Sequence, residues 1–111
     1  MTPSLEEATA IIDSLFATMP ETETFKKAAT KAYSLLTDAA PEGLNVPGAV
    51  AENSYQRARL AELSARYYPF TPHMDYHKSA EEGYRLAIRQ AGSSSRRSVY
   101  EAALAALTGE T

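Results

Sequence analysis

Apolar residues recur at steps of three and four along almost the whole chain, which is the spacing of one face of an α-helix. The segments with this spacing, bounded by proline, glycine or capping residues, are residues 5–19, 22–39, 49–68, 79–91 and 96–108. β-Branched residues do not alternate with polar ones over more than a few positions, so we expect no sheet. The pattern predicts an all-α fold, a compact single-domain bundle of about five helices that covers residues 1–111.

Residues at the ends of these segments match helix-capping preferences. The first helix starts with either Thr2 or Ser4 as its N-cap, and the fourth with either Ser79 or, in a longer helix, Asp75. Gly92 stands where a left-handed C-terminal cap of the fourth helix is expected, and Gly109 ends the fifth. Few residues separate the first two helices, so we expect them to pack side by side and antiparallel.

Residues 40–48 form the longest predicted loop, because they include two prolines, two glycines and an asparagine. Leu44 and Val46 are the large apolar side chains of this loop. We expect both of them to lie underneath it.

The third helix carries two apolar stripes, which predicts packing on two sides and hence a central position. One stripe is made mainly of small residues: Val50, Ser54, Ala58, Ala61, Ala65 and Tyr68. The other stripe contains Leu60, Leu63 and Tyr67. Between them lies a polar row, defined as Glu52, Arg59, Glu62 and Arg66, with Tyr55 at its margin. We expect the polar row to face water, as the polar side of an amphipathic helix does.

An aromatic linker follows the third helix, because Pro69 and Pro72 prevent helical continuation. Its large side chains are Tyr67, Tyr68, Phe70, Met74 and Tyr76. Tyrosine and methionine are enriched at protein interfaces, and binding residues are often carried by surface loops on a rigid scaffold. We therefore predict that these five residues bind a protein partner. The alternative is that at least half of them fill gaps between the third and fourth helices.

Composition narrows the class of protein. The chain has 44% hydrophobic and 23% charged residues, which is ordinary for a folded globular protein. The absence of cysteine excludes disulfides, thiolate metal sites and a cysteine nucleophile. The N-terminus lacks a basic region before its apolar residues, and no apolar run approaches about 18 residues, so we expect a cytoplasmic protein without membrane contact.

A basic C-terminal segment suggests nucleic-acid binding as the alternative function. The net charge of −3 divides into −5 for residues 1–52 and +2 for residues 53–111. The arginines of this segment are Arg85, Arg89, Arg96 and Arg97, on two helices joined by a turn, an arrangement loosely similar to a helix-turn-helix. The similarity is weakened by Ile88 and Ser98, which occupy positions where that motif usually has a small and an apolar residue.

Catalysis and metal binding have little support in the sequence. His73 and His77 are four residues apart, with Glu81 one turn further on, but Pro72 restricts the orientation of His73, so we expect no metal site. No glycine-rich phosphate loop or Ser-His-acid signature is present. We predict a non-catalytic binding protein without a cofactor, acting as an adaptor, inhibitor or subunit on a protein partner. Self-association is left open.

Overall fold

The computed structural model describes residues 3–18, 20–67 and 75–109, and these residues contain five α-helices and no strand. The helices are α1 (Pro3–Ala17), α2 (Thr22–Glu42), α3 (Ala49–Tyr67), α4 (Tyr76–Gln90) and α5 (Ser94–Thr108). The radius of gyration is 13.5 Å, close to the ~13 Å expected for a folded domain of about 100 residues. The all-α prediction is confirmed.

Helix α3 is central, as its two apolar stripes predict. The leucine stripe packs against α1 and α2, with Leu60 and Leu63 fully buried beside Ile12 and Leu36. The stripe of small residues faces α4. Helix α5 packs mainly on α4. The two stripes therefore predict correctly that α3 packs on two sides. Which helices lie on each side is seen only in the structure.

Helices α1 and α2 are antiparallel, as the short connection predicts. Glu7 near the start of α1 forms an ion pair with Lys31, and Leu15 near the end of α1 lies by Thr24 at the start of α2.

Helices α3 and α4 approach closely because small side chains meet at their contact. Gly83 lies directly against Ala58, and a Cβ atom added to this glycine would be 2.8 Å from the Ala58 Cβ and 3.2 Å from its Cα. Ala80 and Ala87, on the same side of α4, are fully buried. Glycine is required here for its lack of a side chain.

The loop after α2 is shorter than predicted. Helix α2 extends to Glu42 and includes Pro41 in its last turn, where the missing proline N–H removes one hydrogen bond without ending the helix. The ladder resumes at Gly43, whose N–H donates to the Ala39 carbonyl at 2.9 Å. Leu44 was expected to be covered but is 71% exposed, because the helix carries it past the core.

Val46, the other large apolar residue of this loop, packs against the core as expected.

Helix α4 begins with the longer of the two alternatives. The Asp75 carboxylate accepts a hydrogen bond from the Lys78 N–H at 2.9 Å. The predicted left-handed cap at Gly92 is wrong, because α4 ends earlier and Ala91 already has extended geometry. This extension places Ser93 as the N-cap of α5, with its hydroxyl accepting from the Arg96 N–H at 3.3 Å.

Gly109 ends α5 in the left-handed region with a φ of 79°, as predicted.

The packed face of α5 differs from the one that the sequence suggests. Tyr100 is the buried residue of α5. Ala103, Leu104 and Leu107 of the same helix pack against buried residues of α3 and α4. Helical spacing predicts that Val99 shares the packed side with Ala102, Ala103, Ala106 and Leu107, but Val99 is 41% exposed. The packed face of α5 is therefore centred on the bulky Tyr100 ring, which lies between the helices, and not on Ala102 and Ala106.

Candidate protein-binding groove

The polar row of α3 is covered over most of its length, which corrects the expectation that it faces water: Glu52 is buried, Arg59 and Glu62 are half-buried, and Arg66 alone of the row is exposed. Glu52 is only 8% exposed, and its Oε2 accepts a hydrogen bond from the Tyr100 hydroxyl at 2.7 Å. The Arg96 guanidinium forms an ion pair with the same oxygen. Gln56 Nε2 donates to the other carboxylate oxygen at 3.1 Å. Helix α5 thus covers the start of the row with complementary donors.

The rest of the polar row is paired with α1 and α4. Arg59 donates to Asp13 at 2.6 Å, and its guanidinium lies 4.6 Å from the centre of the Phe16 ring. Glu62 accepts from the Tyr84 hydroxyl at 3.0 Å through one oxygen and from Arg66 through the other.

The tyrosines of these pairs have raised pKa values. Burial, followed by the neighbouring Glu62 carboxylate, raises the pKa of Tyr84 well above its ordinary value of 10. Burial and the hydrogen bond to Glu52 raise the pKa of Tyr100 to about 12. Both phenols therefore remain neutral donors to carboxylates at physiological pH. The polar row ties three helices to α3, and its groups are occupied in that structural role.

The residues predicted for partner binding are only partly described. Tyr67 stacks on Phe25 with ring centres 4.1 Å apart, and its hydroxyl donates to the Pro20 carbonyl at 3.3 Å, so it packs between α3 and α2. Tyr76 is half-buried at the start of α4. Tyr68, Phe70 and Met74 lie outside the described residues.

The four arginines of the alternative function fall into two pairs. Arg85 forms an ion pair with Glu81 at 2.8 Å, and Arg96 turns inward to Glu52. Arg89 and Arg97 are exposed. All four arginines are exposed, but Arg85 and Arg96 are each paired with a carboxylate of the fold.

No cluster suited to a metal ion is present in the described part of the chain. His77 is exposed near Glu62 and Arg66, whereas His73 lies outside the described residues. None of the described helices is both long and apolar enough to cross a membrane.

A groove lies over the start of α3, between the end of α2 and the end of α4. Four large apolar side chains of the described residues are at least 38% exposed: Leu44 at 71%, Val99 at 41%, Val50 at 40% and Leu86 at 38%. Leu44 and Val50 line the groove, whereas Val99 lies on α5. We call this feature the α2–α3–α4 groove.

Leu44 and Val50 share one surface, and helical spacing places Leu86 on the side of α4 that borders it. Leu44 and Val50 line the same concave surface as Gln90 at the end of α4. The Ser54 hydroxyl donates to Gln90 at 2.6 Å, which fixes this end of α4 against α3. Leu86 is one turn before Gln90 and one turn after Gly83, so helical spacing places it on the same side.

The floor of the groove carries a positioned arginine. Arg57 Nε donates to Asn53 Oδ1 at 2.8 Å, and its Nη2 lies 3.4 Å from the Thr37 hydroxyl oxygen. Asn53 is itself buried and donates to the Leu36 carbonyl of α2 at 2.8 Å. The Arg57 guanidinium is thus oriented by a chain of neutral groups that begins in the core.

Two tyrosines lie near Arg57. Burial is the main cause that raises the pKa of Tyr33, while the Tyr76 hydroxyl raises it further and the Arg57 charge lowers it. These electrostatic effects place Tyr33, Tyr76 and Arg57 near one another. Tyr76, which the sequence identifies as a linker residue, thus starts α4 close enough to Tyr33 of α2 to affect its pKa.

Sequence reasoning missed Leu44, Val50, Leu86 and Arg57 as candidate site residues. One signal was present, because Leu44 is a large apolar residue in a loop and has no helical partner at three- or four-residue spacing. The others are separated in sequence and meet only through the packing of three helices.

No protein-family model, curated protein or solved structure matches this chain.

Proposed function

We propose that this chain is a small non-catalytic binding domain, an adaptor, inhibitor or subunit, that engages a protein partner through the α2–α3–α4 groove. The observation that carries the proposal is that the exposed side chains of Leu44 and Val50 line one concave surface, with exposed Leu86 one helical turn before Gln90 at its edge. Contiguous exposed apolar surface flanked by polar groups is characteristic of interaction sites.

The shape of the groove supports this function. Helices α2 and α4 both pack on α3 rather than on each other, so they form two walls above a shared floor. The side chains that line it combine apolar and neutral polar groups, including Thr37, Ser54 and Gln90. Such surfaces resemble the apolar centre and hydrogen-bonding rim of protein interfaces.

The predicted aromatic linker extends this proposal. Tyr76 starts α4 close to Tyr33 of α2, and residues 68–74 precede it in the chain. We keep Tyr68, Phe70 and Met74 as proposed contributors to the same partner surface. The non-catalytic role is supported by the polar row, whose acids are engaged in linking helices. A cytoplasmic location remains a prediction.

The test is affinity capture from nuclease-treated extract of the native host. We expect a Leu44→Asp/Leu86→Asp variant to lose the captured protein, because charge placed in an apolar interface is not compensated. Val99→Asp is the control, since Val99 is about as exposed as Leu86, at 41% against 38%, but lies on α5. It should retain capture, and the melting temperatures of both variants should stay close to that of the parent.

Equal capture by both variants would contradict the groove proposal. Salt-sensitive retention on DNA that disappears with Arg89→Ala/Arg97→Ala would instead support the nucleic-acid alternative.

A further inference from the structure

We infer that the partner occupies the α2–α3–α4 groove with an amphipathic helix, one of whose carboxylates pairs with Arg57. This inference rests on the proposed function and specifies the chemistry of the occupant. It is carried by the environment of Arg57, which differs from that of the other arginines.

Four arginines of this chain are neutralised within the structure. Each pairs with a carboxylate, and these arginines are Arg59, Arg66, Arg85 and Arg96. Arg57 is half-buried, yet within the described ranges its side-chain partners are the neutral Asn53 and Thr37. It is therefore a charge that the fold orients without neutralising.

The guanidinium of Arg57 retains capacity to bind. Its Nε–H and one Nη2–H are directed to neutral oxygens, and a guanidinium has five N–H donors in a fixed planar arrangement. Two parallel donors match the two oxygens of a carboxylate. Because buried Asn53 fixes the position of Arg57, little side-chain freedom remains to be lost when a carboxylate binds.

Covering the groove makes such a carboxylate necessary. The residues that line the groove around Leu44 and Val50, and Thr37 beside Arg57, are uncharged: Thr37, Ala40, Leu44, Val50, Ser54 and Gln90. An apolar segment laid over this surface would remove water from Arg57 and leave an unpaired charge, which is unfavourable. A partner that supplies a carboxylate avoids that cost and gains a charge-assisted pair in a low-dielectric site.

The spacing of Val50 and Arg57 on α3 suits a helix as occupant. Along α3, Val50 and Arg57 are about 10 Å apart, or two turns. A partner helix that seats an apolar residue by Val50 should therefore carry its acidic residue about seven positions away.

The test uses a displayed library of 16-residue helical peptides selected against the full chain. We expect peptides that bind the groove to share an Asp or Glu about seven positions from an apolar anchor. Their affinity should fall about tenfold or more for Arg57→Gln and remain unchanged for Arg97→Gln, an exposed arginine of α5. Chemical-shift perturbation locates each peptide on the domain.

A charge exchange distinguishes the loss of the ion pair from a structural effect of the Arg57 substitution. Replacement of the acidic residue of a selected peptide by Lys should abolish binding to the parent and restore binding to Arg57→Glu. A thermal melt of each variant verifies folding. Loss of binding without rescue would refute the proposed ion pair.

Two other outcomes overturn the inference in different ways. Peptides that bind the groove without acidic preference, and bind Arg57→Gln equally well, would refute the role of Arg57 while the proposed binding groove stands. Failure to select groove-binding peptides would refute both proposals. A dimer in sedimentation that buries Leu44 and Val50 would show that a second copy is the occupant.

Discussion

Removal of the Glu52 carboxylate should destabilise the domain, because this side chain is the acceptor that joins α5 to α3. In Glu52→Ala, the Tyr100 hydroxyl loses its acceptor while its residue is 1% exposed. A buried donor without a partner costs about 1–3 kcal/mol. Arg96 is half-exposed and can return to water, so it adds no more than about 1 kcal/mol. We expect a total loss of about 1–4 kcal/mol.

Two further variants separate the contributions. Glu52→Gln retains an oxygen acceptor for Tyr100 and should cost about 1 kcal/mol. Tyr100→Phe removes the donor, so in the double variant Glu52→Ala/Tyr100→Phe no hydroxyl is left unsatisfied. The double variant should therefore be more stable than the sum of the two single losses predicts, by roughly 1–2 kcal/mol.

The assay is urea unfolding at 25 °C, followed by circular dichroism at 222 nm, with the free energy of unfolding taken from the linear dependence on urea. A Glu52→Ala variant within about 0.5 kcal/mol of the parent would refute the reasoning, as would additivity of the cycle. Either result would mean that α5 is held by its apolar contacts alone.

Three more outcomes are expected. Gly83→Ala should lower the melting temperature because its methyl group would overlap Ala58, although alanine favours helices by about 1 kcal/mol over glycine. Gly92→Ala, which has open space around it, should be neutral or stabilising, and equal melting temperatures of the two variants would disprove the contact. Ile12→Ala and Leu36→Ala should each cost about 2–5 kcal/mol in thermal or urea unfolding, because both are fully buried, and parent-like melts would show that they are not core. Above pH 10 the unfolded chain releases the Tyr100 proton while the native chain retains it to about pH 12, so the free energy of unfolding should fall across this interval. Tyr100→Phe should reduce the slope of the urea midpoint against pH, and an unchanged slope would contradict the raised pKa of Tyr100.

Helix content and the core could be read from the sequence because both depend on local spacing. Residues such as Ile12 and Leu36 lie at the centre of single apolar stripes, and a helix with a single stripe has one direction in which to bury it. The two stripes of α3 likewise required two neighbours. Helix ends were less certain, since Asp75 and Ser79 both satisfy capping preferences and only the packed chain selects between them.

The polar row shows why burial of charge is not encoded locally. A carboxylate on an amphipathic helix faces water unless another element covers it with matching donors. For Glu52 those donors are Arg96 and Tyr100, which follow it by 44 and 48 residues. The sequence establishes the presence of these three groups, whereas the packing of α5 beside α3 determines that they meet.

The candidate groove was likewise decided by tertiary structure. Leu44, Val50 and Leu86 come from the loop after α2, from α3 and from α4, and no periodic pattern connects them. Arg57 is one of seven arginines in the sequence, and only its neighbours Asn53 and Thr37 distinguish it. Local periodicity determines which face a helix buries. The arrangement of helices determines which of the remaining side chains share a surface, because that depends on contacts between residues far apart in the chain.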